Sequence, residues 1–196
     1  MDPEVVAAAV ARVPPGAHTA VLVEGDSDEA AVTAVAARLG RDLTAEGIAV
    51  VPMGGITNIG HFVRLLGPDG LGLALAGLYD IGEEHVVSRV LGEPDPARRG
   101  FFACVEDLEG ELVRCLGVPV VERIIAAEGE LRSLRTLRRQ PAQRGWSDIA
   151  LLRRFFGSRA HRKLRYAQLL AAALDPAALP GPLDGLLRYL ARPTPV

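Results

Sequence analysis

The chain has 196 residues, of which 49% are hydrophobic and 23% are charged, enough apolar material for one folded domain and too much for a disordered chain. Its 22 basic and 24 acidic residues give a formal net charge of −2, which argues against a strongly basic DNA-coating protein and against a polyacidic tail. Two cysteines without a Cys-x-x-Cys pair argue against a disulfide scaffold and a zinc ribbon. We find no signal-like N-terminal region and no apolar run of roughly 18–20 residues, so we expect a soluble, cytoplasmic protein without membrane contact.

Charge is distributed unevenly along the chain. Residues 132–165 contain ten of the 21 arginines and Lys163, the single lysine, against one acid, Asp148. The remainder holds 11 basic and 23 acidic residues. The near-neutral average therefore conceals an acidic body and a basic C-terminal third.

Short apolar segments alternate with helical patterns over the first two thirds of the chain. After a leading helix at 5–13, we predict strands at 20–23, 48–51, 73–79 and 101–105. Helices are predicted to follow these strands in turn, at 26–39 (with Asp26 and Glu29 in a capping box), 58–66, 83–90 and 107–116. Beyond residue 118 the strand pattern stops, and we predict helices at 120–139, 149–156, 159–174 and 183–191.

This alternation is typical of an α/β fold with a parallel, Rossmann-like sheet flanked by helices. We therefore predict an α/β core at residues 17–117. A basic helical region at 118–196 is expected to pack on the core or complete it.

Acidic residues follow three of the predicted strands: Glu24, Asp80, and the pair Glu106 and Asp107. Ligands of parallel sheets bind beyond the carboxyl ends of the strands, and clustered carboxylates repel one another unless a cation lies among them. Oxygen ligands without His or Cys favour Mg²⁺ or Mn²⁺. Helix capping is the alternative explanation for the acids in first helical turns, including Asp28 and Glu83, but it explains Glu24 and Asp80 less well.

The segment 21–25, Val-Leu-Val-Glu-Gly, is followed by Asp28-Glu29, by Gly54-Gly55 and by a strand ending at Asp80. This arrangement resembles the TOPRIM domain, and in particular that of the OLD (overcoming lysogenization defect) family of nucleases. The resemblance implies a Mg²⁺-binding α/β fold, with Glu24 as a metal ligand or general acid/base. It also implies that Asp28 and Asp80 are metal ligands, that 107–109 is the late acidic motif with Asp107 and Glu109 as ligands, and that Lys163 is the catalytic lysine that stabilises charge on the phosphate.

The sequence departs from the family pattern at Gly82, which stands where the second aspartate of Asp-x-Asp is expected. Glu83 or Glu84 is the candidate substitute ligand. OLD proteins also carry an N-terminal ATPase, whereas this sequence has no Walker A motif, so an ATPase function would need a separate partner.

The basic segment has two interpretations: a solvated arginine-rich helical face, or a surface that binds nucleic-acid phosphates. For the second we select Arg135, Arg138, Arg139, Arg162 and Arg165. The aromatic residues between them follow a helical spacing that favours the core over base stacking.

Our leading hypothesis is a Mg²⁺- or Mn²⁺-dependent endonuclease domain of the TOPRIM type that hydrolyses DNA. The alternative is a catalytically weak TOPRIM module that binds nucleic acid or a partner ATPase. A generic nucleotide-binding α/β protein would leave the acidic cluster unexplained, and homo-oligomerisation stays open.

Overall fold

The computed structural model describes residues 10–192, except for the side chain of Ala160. Within this range four strands form one sheet in the order β2-β1-β3-β4, and every pair of neighbours is parallel. The strands are β1 Thr19–Val23, β2 Ile48–Pro52, β3 Ala74–Asp80 and β4 Phe101–Cys104. The predicted parallel α/β fold is confirmed.

Helices connect and cover these strands. Those of the α/β part are α1 Asp26–Arg38, α2 Ile59–Leu66, α3 Glu84–Leu91 and α4 Leu108–Leu116. The later part consists of α5 Val118–Ala127, α6 Leu131–Arg138, α7 Asp148–Phe156, α8 Ala160–Ala172 and α9 Gly181–Leu190.

The strands are paired so that their carboxyl ends lie at one edge. Val23 is opposite Pro52 at the ends of β1 and β2, and Asp80 is opposite Cys104 at the ends of β3 and β4. Every residue of the central strand β1 is buried. The residues that directly follow these strands are therefore gathered at one rim of a rigid sheet.

Alternating side chains of the strands supply two hydrophobic cores, one on each face of the sheet. Leu22 of β1 belongs to the core that α2 and α3 cover, together with Phe62 and Val87. Val21 and Val23 belong to the core on the other face.

Helices beyond residue 118 belong to this second core. Phe155, Tyr166, Leu170 and Leu186 are buried in one continuous cluster with Val21 and Val23. Gly185 on α9 lies so close to β4 that an added Cβ would be 2.7 Å from the Phe102 ring. The basic helical region thus shares its interior with the sheet.

Three local expectations need correction or fall outside the description. The helix predicted over 120–139 is two helices, because Gly129 adopts a left-handed conformation (φ 74°) that ends α5. The N-cap of α1 is Gly25 rather than Asp26, so Asp28 takes the position expected for Glu29. The leading helix expected at 5–13 lies mostly outside the described residues.

Between residues 10 and 192, no helix is both long enough and apolar enough to cross a membrane.

Candidate metal centre

Glu24 and Asp28 are positioned by the junction between β1 and α1. Glu24 is exposed directly beyond β1. Its backbone carbonyl oxygen accepts a hydrogen bond from the Gly55 N–H at 3.1 Å. Gly54 and Gly55 have φ angles of 67° and 116°, so the glycine turn after β2 can approach Glu24 in this way. The Asp28 Oδ2 accepts a hydrogen bond from the Gly25 N–H at 3.0 Å, which turns the carboxylate back towards the end of β1.

Asp80 is the last residue of β3 and is half-buried. Burial is the main reason that its pKa rises to about 7, and the negative charges of Glu24, Asp107, Asp28 and Glu109 raise it further. Acids that follow two other strands, β1 and β4, therefore act on the carboxyl group at the end of β3. The geometry brings together acids that are far apart in the sequence.

The pKa of Asp28 is raised in the same way as that of Asp80. Burial raises its pKa to about 7, and the charges of Glu109 and Glu24 add to the rise. The Gly25 hydrogen bond and the charge of Lys163 lower it in part. A cation placed between Asp28 and Asp80 would therefore stabilise the ionised form of both carboxyl groups.

Glu109 and Lys163 form an ion pair between the first turn of α4 and α8. The Lys163 Nζ lies 3.2 Å from the Glu109 Oε1, and Glu109 is only 3% exposed. Although burial works against the charge on Lys163, Glu109 and Asp28 raise its pKa above the ordinary value for lysine. The ammonium group stays protonated beside the acidic edge of the sheet.

Asp107 lies at the same edge, but its oxygens already have partners. The Oδ1 caps α4 by accepting from the Gly110 N–H at 2.7 Å. The Oδ2 accepts from Arg153 of α7, at 2.7 Å from Nε and 2.6 Å from Nη2. Arg153 also lies 3.1 Å from Glu106, which adopts a left-handed φ of 67°. As placed, Asp107 fixes the loop after β4 to the helical region.

Glu83 and Gly82 lie in the 3₁₀ turn Ile81–Glu83 after β3. Glu83 has no hydrogen bond or ion pair to another described side chain. A Cβ added at Gly82 would meet nothing within 4 Å, and the backbone there has no left-handed strain. The backbone could therefore carry the aspartate that the TOPRIM pattern has at this position.

The chemistry of these side chains suits a hard divalent cation. The donors are oxygens of carboxyl groups, and burial together with neighbouring acids raises the pKa of two of these groups, Asp28 and Asp80. In the part of the chain that the structure describes, however, no three His, Cys, Asp or Glu side chains are close enough together to hold a metal ion as they stand. The carboxylate oxygens are thus suitable ligands for the ion by their chemistry. In the described residues, however, they do not converge on one common position.

The basic residues selected from the sequence have different surroundings. Arg135 and Arg139 are exposed, and neither has an ion pair among the described residues. Arg138 pairs with Glu122 at 2.7 Å and with Asp148 at 3.0 Å, and Arg165 pairs with Glu128. These two guanidinium groups are partly neutralised.

Arg162 is a structural residue as placed, and the expectation that it faces nucleic acid needs correction. It is 8% exposed, lies 4.3 Å above the Phe155 ring centroid, and its Nη2 donates to the Glu130 Oε1 at 2.8 Å. The Tyr166 hydroxyl donates to the other oxygen of Glu130 at 2.9 Å. Because the partner acid is 32 residues away, sequence spacing held no signal for this contact.

Comparisons with known proteins agree with this architecture. Residues 17–81 match the family model described as "Overcoming lysogenization defect protein-like, TOPRIM domain". This match includes Glu24, Asp28 and Asp80 but ends before Glu109 and Lys163. None of the curated proteins compared matches the sequence significantly.

Solved structures of OLD proteins are similar over nearly the whole chain. The C-terminal region of the Xanthomonas campestris pv. campestris OLD protein, in the structure phased with iodine, is 27% identical with a TM-score of 0.70, covering 90% of this chain and 95% of that one. The structure phased with mercury gives 27% identity, a TM-score of 0.68, and coverage of 90% and 96%. The C-terminal region of the Burkholderia pseudomallei OLD protein shares the fold at 24% identity, with a TM-score of 0.67 and coverage of 89% and 97%.

The resemblance that the sequence motifs indicated is thus confirmed, and it supports a TOPRIM module of the nucleic-acid-processing kind. Residues 17–81 match the OLD-like TOPRIM family model, and the fold of the chain is similar to that of the C-terminal region of OLD proteins.

Proposed function

We propose that the protein hydrolyses phosphodiester bonds of DNA with the help of Mg²⁺ or Mn²⁺ held at the acidic edge of the sheet. The observation that carries this proposal is the convergence of Glu24, Asp28, Asp80 and Glu109 on one rim, with Lys163 paired to Glu109. Glu109 is paired with Lys163, whereas Asp28 and Asp80 have no ion pair among the described residues, so acids and lysine together form a site suited to a cation and a phosphate.

The four carboxylates would hold the cation, and Glu24, the most exposed of them, can also take or give a proton at the reacting phosphate. When bound, the metal supplies neutralisation of charge on phosphate oxygens and polarises the attacking water. Glu83 stays our candidate for the ligand that Gly82 does not supply. Asp107 is better placed to orient the loop after β4, because both of its oxygens are engaged.

Lys163 would stabilise the negative charge that develops on the phosphate. Its pKa is raised, so its ammonium group is present at neutral pH. The ion pair with Glu109 fixes the direction in which the side chain points. The lysine would thus act as a preorganised positive charge at the reacting group.

A nicking assay on supercoiled plasmid with Mg²⁺ or Mn²⁺ tests this proposal. Glu24→Gln and Asp80→Asn should each lose at least about 100-fold in rate, since a lost charge at the site removes roughly this much. Asp26→Asn is a matched control, because Asp26 belongs to the same junction but faces Arg12 at 3.1 Å. Equal cleavage by the wild type and all three variants would refute the enzymatic function.

The second candidate, a catalytically weak module that binds nucleic acid or a partner ATPase, is favoured by Gly82 and by the open arrangement of the ligands. Gly82→Asp separates the two functions, because the backbone accepts a side chain there without strain. A weak module should gain cleavage and divalent-ion affinity with this variant. An enzyme that already uses Glu83 should gain little, and should lose activity when Glu83 is changed to Gln.

A further inference from the structure

We propose that a cationic cavity between α6 and the start of α8 binds a non-scissile backbone phosphate of the DNA strand that is cut at the metal centre. This inference rests on the proposed function and adds a second contact to it. The cavity has a volume of about 400 Å³. Its polar lining includes Arg132, Ser133, Thr136, Gln140, Ser158 and Arg159.

Two guanidinium groups of this lining are left without a counter-charge. Arg132 and Arg159 are exposed, and neither has an ion pair among residues 10–192. Arg138 and Arg165, by contrast, are paired with acids of the same helical region. A phosphate is the ligand whose charge and geometry best match two arginines, because each can donate two parallel hydrogen bonds to it.

The third guanidinium group of the lining, that of Arg162, is held by hydrogen bonds to other residues. Its Nη1 donates to the Ser158 Oγ at 2.6 Å while its Nη2 is held by Glu130. The hydrogen bond from Arg162 lowers the pKa of Glu130, so this acid is ionised at neutral pH and its charge offsets that of Arg162. The positive charge available to a ligand is therefore that of Arg132 and Arg159.

The position of the cavity relative to the metal centre indicates which ligand it takes. Arg159 is the N-cap residue of α8, and its backbone carbonyl oxygen accepts a hydrogen bond from the Lys163 N–H at 3.1 Å, so the two residues are one helical turn apart. Arg159 lines the cavity, and Lys163 contacts Glu109 at the acidic edge. A strand with one phosphate at Lys163 can place another phosphate between Arg159 and Arg132.

The size of the cavity is also consistent with this ligand. A volume of about 400 Å³ is at the lower end of the range for small-molecule sites. This volume is large enough to admit a phosphate with its attached sugar. The Leu137 side chain supplies an apolar wall for the sugar.

The experiment compares the double variant Arg132→Ala/Arg159→Ala with the matched control Arg144→Ala/Arg154→Ala, which removes two exposed arginines of the same basic segment outside the cavity. Affinity for a fluorescent DNA duplex is measured in EDTA at several salt concentrations, so that binding is separated from cleavage. We expect the cavity variant to bind at least about tenfold more weakly, as for the loss of a charge-assisted hydrogen bond. We also expect its salt slope to be smaller by roughly one for each phosphate that the protein no longer neutralises. The control should change affinity less than threefold.

Inorganic phosphate and a nucleoside monophosphate, tested by thermal shift, distinguish a strand phosphate from a free one. Stabilisation of the wild type by these ligands, lost in the cavity variant while DNA affinity is kept, would overturn the assignment to a DNA strand. Equal weakening in the cavity and control variants, or none in either, would overturn the site itself. If the wild type cuts plasmid DNA in either of these cases, the proposed function survives, whereas a wild type that neither binds nor cuts DNA contradicts both.

Discussion

The acidic rim of the sheet and the basic helical region differ in how their charges are compensated. At the rim, Asp28 and Asp80 have pKa values raised to about 7, because burial and neighbouring acids act on them together. In the helical region, Arg138, Arg162 and Arg165 are each paired with an acid. Part of the positive charge of the segment 132–165 is therefore neutralised by acids that lie outside it in the sequence. Uncompensated charge is a better guide to function than charge density along the chain.

The sharpest test of this contrast is Lys163→Ala, which removes the positive charge at the rim. We expect cleavage to fall by about 100- to 1000-fold, because a preorganised charge at the reacting group is lost. DNA affinity measured in EDTA should change less than threefold, since only one of several phosphate-binding groups is removed. A variant that cuts as fast as the wild type would show that the ion pair with Glu109 is only structural.

Changing Arg162 to Leu tests whether its charge serves the fold. Glu130 would lose its guanidinium partner, and we expect a loss of about 2 kcal/mol in the free energy of unfolding, as for a hydrogen bond between charged groups whose acid, 30% exposed, can still be solvated. Urea denaturation measures this loss. The exposed Arg154→Ala should stay within about 0.5 kcal/mol of the wild type, and an equal effect of the two substitutions would contradict the structural role.

The melting temperature measured as a function of pH tests whether the charges of Asp28 and Asp80 are uncompensated in the metal-free protein. The ordinary pKa of an aspartate is 3.8, and folding raises that of Asp28 and of Asp80 to about 7. Since the folded state holds these protons more tightly, their contribution to stability is complete below about pH 4 and is lost as the pH rises to about 7. In the metal-free protein, Asp28→Asn should therefore lower the melting temperature less at pH 8 than at pH 4, or raise it.

Divalent cations supply the control for this titration. Mn²⁺ should stabilise the wild type more at pH 8 than at pH 5, because protons and metal compete for the same oxygens. Asp28→Asn should reduce this stabilisation. A cation effect that is the same at both pH values and in both proteins would place the ion elsewhere.

The smallest predicted effect concerns the loop that carries Glu130. Gly129 has a left-handed φ of 74°, so Gly129→Ala should cost about 1 kcal/mol in the free energy of unfolding. Gly181→Ala is the matched control, because the backbone of Gly181 is not left-handed and an added Cβ there meets nothing within 4 Å. Equal stability of the two variants would contradict the break between α5 and α6.

The strands and the acids that directly follow them can be predicted from the sequence because local signals specify both. Glu24 and Asp80 end apolar segments, and parallel strands bring such ends to one edge. The partners of the charged groups were not accessible in this way. Arg153 contacts Asp107 across 46 positions, and only the packing of α7 against α4 brings them together. For the same reason the sequence alone predicts that Arg162 contacts nucleic acid, since its aromatic and acidic partners meet only in the folded core.

A divalent cation held by the acids at the ends of β1, β3 and β4 is the basis of the proposed function. Crystals soaked with Mn²⁺ and measured at the manganese absorption edge test it most directly. We expect an anomalous peak between Glu24 and Asp80 that disappears in Asp80→Asn. A protein that takes up Mn²⁺ elsewhere while this position stays without a peak would contradict it.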